Sequence, residues 1–116
     1  MLFEKQNGKF VRKSLPVQAN ISPVYAVTVG DYNSDGKADV LLAGNTEKAR
    51  IKIGKMDANY GVLFSGDGKG GFQYVPQSKS GLSVKGCVRS VIEVVNGSRR
   101  TIVFGINDGS PVLYDF

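Results

Sequence analysis

The residues best placed to do chemistry are Asp31-Tyr32-Asn33-Ser34-Asp35-Gly36-Lys37-Ala38-Asp39. Oxygen-bearing side chains stand at the first, third, fifth and ninth positions, with glycine at the sixth. A hard cation such as calcium takes oxygen ligands, and this alternation turns every second side chain toward the inside of a loop. Gly36 permits the sharp turn, and Lys37 would contribute its backbone carbonyl while its side chain points away. The spacing therefore predicts one calcium site formed by Asp31, Asn33, Asp35, Lys37 and Asp39, with a water completing the shell. An EF-hand would place Glu at the twelfth position and continue as a helix. Here the twelfth residue is Leu42, inside an apolar run, so the loop must join two strands. An Asx-rich turn without metal is the plainer reading of the same residues.

Other chemistry is limited by composition. The 116-residue chain contains no histidine and one cysteine, Cys87, which excludes histidine-based triads, histidine-ligated metals, an intrachain disulfide and a thiol redox pair. No second pair of carboxylates is spaced for acid–base work. Gly66-Asp67-Gly68-Lys69-Gly70-Gly71 lacks the Gly-Lys-Ser/Thr ending of a phosphate-binding loop and precedes no helix, so it reads as a hairpin connection. Asn96-Gly97-Ser98 fits a glycosylation acceptor, yet a hairpin turn explains it fully. Asp108, beside Gly109 and Ser110, is a turn residue. Tyr25, Tyr60, Phe72 and Tyr74 could stack on a ligand, though alternation makes them packing residues first.

The net charge is +5, from 15 basic and 10 acidic residues. Polyanions are thereby worth considering, but the basic residues are scattered and nucleic-acid binding is not expected. No apolar run reaches the ~18 residues of a membrane span. The first residues, Met1 to Gly8, lack the pattern of a signal peptide.

The elements that must position the loop are short strands. Val24 to Val29 and Val40 to Ala43 are near-continuous apolar runs, as in strands covered on both faces. Val88 to Val95, Thr101 to Ile106, Tyr60 to Phe64, Phe72 to Val75 and Val112 to Tyr114 are further strands. Asn7-Gly8 and Asn96-Gly97 suit type I′ hairpin turns. The one stretch without a strand pattern is Asn45 to Asn59, apart from a short alternation at Ile51 and Ile53. Fifteen glycines agree with many tight turns, and the fold class is all-β with no significant helix.

The chain also matches itself. Val24 to Val27 corresponds to Val88 to Val91, Val40-Leu41-Leu42 to Ile102-Val103-Phe104, and Leu2-Phe3 through Phe10 to Leu63-Phe64 through Phe72. Leu113-Tyr114 corresponds to Leu63-Phe64 once more. These offsets define about two copies of a four-stranded unit: residues 1–22 end one, 23–85 form a complete one with the loop, and 86–116 begin the next without it. In the second copy the matching turn, Val95 to Thr101, has no carboxylate and carries Arg99 and Arg100, so it cannot bind a cation. Such units stack on neighbours, and four-stranded units around an axis are propeller blades. The expected architecture is two antiparallel blades of a partial β-propeller, with a small barrel or sandwich as the alternative.

Asp31 to Asp39 followed by Val40-Leu41-Leu42-Ala43-Gly44-Asn45, with Gly66 to Phe72 after it, resembles the FG-GAP/VCBS repeats of integrin-α-like β-propellers. Met56 to Gly61 and Gly81 to Gly86 are similar to the C-terminal blades of large bacterial VCBS-repeat proteins that carry an ASPIC/UnbV domain. The chain departs from the pattern at the second copy's turn and at Cys87, where an acid is more usual. The resemblance implies an exported protein, extracellular, cell-surface or periplasmic, that is not an enzyme. It implies a protein or carbohydrate ligand and no membrane insertion, with the remaining blades or other copies of the chain as structural partners. The alternative is the non-catalytic part of a propeller-type polysaccharide lyase acting on acidic glycans.

Overall fold

The computed structural model describes residues 2–20, 23–44 and 61–116. Among these described residues nine strands follow in order: β1 (Leu2–Gln6), β2 (Lys9–Lys13), β3 (Ala26–Gly30), β4 (Asp39–Ala43), β5 (Val62–Gly66), β6 (Phe72–Val75), β7 (Val88–Asn96), β8 (Arg99–Ile106) and β9 (Val112–Asp115). All pairings are antiparallel between consecutive strands, giving sheets β1-β2, β3-β4-β5-β6 and β7-β8-β9. The fold is all-β, and among the described residues helix is limited to a 3-10 turn at Val17–Asn20 and an α-helical turn, α1 (Gln77–Ser80). Neither turn was marked by periodicity, because four residues are too few to show one. The strandless stretch expected at Asn45 to Asn59, with Ile51 and Ile53, and the residues Met56 to Tyr60 lie outside the described residues.

The strand registers reproduce the sequence repeat. In the four-stranded sheet Thr28 faces Leu41 and Leu41 faces Leu63; in the three-stranded sheet Ile92 faces Val103 and Val103 faces Leu113. On the opposite faces Val27–Leu42–Val62 corresponds to Val91–Phe104–Val112. The β1-β2 hairpin aligns with β5-β6 in the same way: Phe3 faces Arg12 as Phe64 faces Tyr74. Because side chains alternate between faces with period 2, a conserved register means that equivalent residues share equivalent faces.

The core lies between the two larger sheets. Leu41, Leu63 and Ala43 of the four-stranded sheet cluster with Val88, Ile102 and Phe104 of the three-stranded one, and Leu82 and Val84 from the connection fill the gap. Phe104 meets Tyr114 edge-on at 5.8 Å between centroids, a favoured aromatic geometry. A second cluster, Leu42, Val62 and Phe64, occupies the other face of the four-stranded sheet, with Ala19, Phe72 and Tyr74 against it. β4 is thus covered on both faces, as its apolar run predicts. β3 is not: Val27 and Val29 are exposed. β3 is an edge strand, so its outward face lacks neighbours on one side.

The turns show where local chemistry decides. Asn7 and Gly8 both take positive φ, 50° and 78°, between paired Gln6 and Lys9, which is the expected type I′ turn. At the other hairpin Asn96 pairs with Arg99, so the central residues are Gly97 and Ser98, and only Gly97 has positive φ. Glycine at the first central position is the type II′ pattern, and the turn sits one residue later than Asn96-Gly97 implies.

Candidate metal loop

The loop leaves β3 at Gly30 and enters β4 at Asp39, two residues paired in register. Strand pairing therefore closes both ends of the loop. Within it Ser34 and Gly36 take positive φ, 62° and 78°, which tightens the chain. Asp31 Oδ1 accepts the Asp35 amide at 3.1 Å and Asp31 Oδ2 the Gly36 amide at 2.8 Å. Asn33 Oδ1 accepts the same Asp35 amide at 3.0 Å, and Asp35 Oδ1 accepts the Lys37 amide at 2.8 Å. Asn33 Nδ2 donates to Asp35 Oδ2 at 3.3 Å. Bonds from backbone amides, that of Gly36 above all, hold the Asp31 carboxyl below its usual range. Accepting N–H bonds favours the charged form.

The structure brings Asp31, Asn33 and Asp35 together and treats Asp39 differently. Asp39 is fully buried; its Oδ2 accepts the Tyr32 amide and its Oδ1 the Gly66 amide, both at 3.0 Å. It ties the loop to β5. The Lys37 side chain lies toward Gly68 of the β5-β6 turn, away from the three gathered side chains. No group of three acidic, cysteine or histidine side chains among the described residues is arranged to hold a metal ion. The donors nonetheless suit a hard cation: Asn33 and Asp35 are exposed, all candidate atoms are oxygens, and each carboxylate oxygen that accepts one N–H keeps a second lone pair.

Sequence reading missed the far side of the loop. Arg100, on β8, donates through its guanidinium to the Asp31 carbonyl and, at 2.6 Å, to Glu93 of β7. It also lies 5.8 Å from the centroid of the Tyr32 ring, and Tyr32 in turn packs on Phe116 with centroids 5.2 Å apart. Glu93 raises the Arg100 pKa further, and burial raises that of Tyr32. No spacing rule links Arg100 to a residue so distant in sequence. Only the packing of one sheet on the other brings them together.

The remaining candidates are accounted for structurally. Gly66 to Gly71 is the β5-β6 turn, in which Asp67 Oδ1 accepts the amides of Lys69 at 2.6 Å and Gly71 at 2.9 Å. These two bonds depress the Asp67 pKa. Arg89 stacks on Tyr25 at 4.1 Å, Tyr74 meets Phe64 edge-on at 6.2 Å, and Phe72 packs on the second cluster. Tyr60 lies outside the described residues. Cys87 is buried and free, and Asp108 takes positive φ in the β8-β9 turn.

No helix among the described residues is long and apolar enough to cross a membrane. Neither a curated protein nor a solved structure matches this chain. One family model does, and it falls on β3, the loop and β4: residues 23–49 match the FG-GAP repeat.

Proposed function

We propose that this chain is a calcium-stapled, non-catalytic interaction module of the β-propeller repeat type, working in an exported bacterial protein and binding a protein or carbohydrate ligand. The observation that carries the reading is the coincidence of the FG-GAP match with a strand–loop–strand in which Asp31, Asn33 and Asp35 already share one amide-bonded turn. FG-GAP repeats are generally non-catalytic and typically belong to extracellular or surface proteins. The absence of histidine from the chain removes the commonest general base.

In this reading Asp31, Asn33, Asp35 and the Lys37 carbonyl hold the cation, and Asp39, expected from its spacing to be a further ligand, instead anchors the end of the loop through its bonds to the Tyr32 and Gly66 amides. Calcium supplies charge neutralisation and a cross-link within the loop between β3 and β4. A ligand that binds only the folded chain stabilises it by mass action, about 2.7 kcal/mol at a hundredfold excess over Kd. Isothermal titration with calcium on the full chain tests the proposal, with Asp35→Ala as the comparison. One binding event in the parent and none in the variant is expected; a parent that takes up no calcium refutes the metal site.

A further inference from the structure

The β1-β2 hairpin has two faces of different chemistry. Leu2, Glu4, Val11 and Lys13 share one, and the Glu4–Lys13 ion pair there lies against Gly70 of the β5-β6 turn. Phe3, Lys5, Phe10 and Arg12 share the other, with Phe3 opposite Arg12 and Lys5 opposite Phe10. Rings and cations therefore alternate along each strand and across the pair. All four are exposed, Phe3 by 56% and Phe10 by 73%. Among the described residues neither Lys5 nor Arg12 has an ion-pair partner. In β5-β6 the equivalent places hold Phe64, Gly66, Phe72 and Tyr74, and the three rings there are packed in the second cluster. Lys5 and Arg12 thus stand where the packed copy has glycine and tyrosine. Lysine and arginine are almost never buried without a partner, so the hairpin face is not built for another sheet to cover. A hollow of about 380 Å³ adjoins it at Arg12, lined also by Lys13, Ser14, Leu15, Val17 and Asn20, again with no acid.

We infer that this face binds an acidic polysaccharide of the uronate type, which narrows the carbohydrate ligand proposed above and rests on that reading. An exposed apolar ring stacks on the C–H face of a sugar, and both leave water. Lys5 and Arg12 between the rings meet carboxylates, Arg12 through the paired N–H bonds of its planar guanidinium. Neutral sugars present hydroxyls that need acceptors as well as donors, and the polar groups of this face only donate. Single-stranded nucleic acid also calls for rings and cations together. A backbone charged at every unit, however, needs a longer row of cations than the two found here. The calcium loop takes no part, so the site is tested in chelator, separately from the metal proposal.

Polygalacturonate is the probe, with its methyl-esterified form as the uncharged control and oligothymidylate as the nucleic acid. Titration calorimetry of the full chain should show binding to polygalacturonate alone, weakening as salt rises. Phe10→Ala and Arg12→Gln should each lower the affinity about tenfold. Lys85→Gln removes the same charge from an exposed position in the connection before β7 and should leave it unchanged. Amide dispersion in NMR spectra confirms that each variant is folded. A parent that binds no polygalacturonate overturns the inference, as do Phe10→Ala and Arg12→Gln variants that bind like the parent. Equal binding of the methyl ester, or tighter binding of oligothymidylate, overturns it too. A glycan array tests the underlying reading separately: signal confined to neutral glycans keeps the carbohydrate ligand and removes this site, and no signal removes both.

Discussion

Asp39 is the residue whose replacement tests the structural argument most sharply. Its carboxylate has no exposed surface and holds two backbone amides, those of Tyr32 and Gly66, each at 3.0 Å. In Asp39→Asn one oxygen remains an acceptor, while the new NH₂ faces the other N–H. One buried donor is then left unmade, at about 1–3 kcal/mol. The surviving bond also loses its charge assistance, and relief from burying a charge offsets part of the loss. The expected net destabilisation is about 2 kcal/mol, against the ~5–15 kcal/mol of a typical domain. At roughly 4 °C per kcal/mol for a chain of this size, Tm falls by about 8 °C. Calorimetry in the presence of chelator removes any metal contribution. Hydrogen exchange at the Tyr32 or Gly66 amide should quicken by about thirtyfold if the loss is local, since 1.4 kcal/mol is tenfold. Asp35→Ala, an exposed position bonded to the Lys37 amide, should change stability by under about 0.5 kcal/mol in the same buffer. An Asp39→Asn protein within 0.5 kcal/mol of its parent would refute the reasoning.

Three further outcomes follow from the structure. Gly66→Ala puts a Cβ 2.0 Å from the Ala38 carbonyl oxygen, so backbone must move, and urea denaturation should show a loss of about 3 kcal/mol. Gly105→Ala meets the Ser90 hydroxyl at 2.3 Å, a side chain free to rotate, and should cost under about 1 kcal/mol at unchanged m-value. Acid titration of the fold should expose Asp67 and Asp115, both held below their ordinary range, Asp67 by the Lys69 amide first and Asp115 by Thr101 and then Arg99. Because their folded pKa values are depressed, their contribution is complete above the unfolded value of ~3.9 and disappears as pH falls through the folded one. Asp67→Asn and Asp115→Asn should therefore flatten the stability profile below about pH 4 and leave its shape near neutrality unchanged.

How far the site was legible divides by range. Asp31, Asn33, Asp35 and Gly36 act on one another within a few residues, so their spacing alone announced a tight, oxygen-lined loop. Asn7-Gly8 was equally local. Gly97 was misplaced by one residue because both Asn-Gly and Gly-Ser can turn a hairpin, and the pairing of Asn96 with Arg99 made the choice. Nothing local could show that Asp39 would spend both oxygens on amides and bind its strand to Gly66.

By itself the sequence determined the all-β class, the strands and, through the repeat, the register. Alternation and turn chemistry act over two to five residues, and equivalent rows such as Leu41–Leu63 and Val103–Leu113 follow from the repeated pattern. Only the tertiary structure decided which of two equally apolar faces is buried. Leu41 and Val103 hold equivalent places, yet Leu41 is fully buried and Val103 is only half-buried, because one sheet has a neighbour on that face and the other faces outward. The tertiary structure also brought Arg100 to the back of the loop, since a contact across two packed sheets is set by their mutual placement and leaves no trace in spacing.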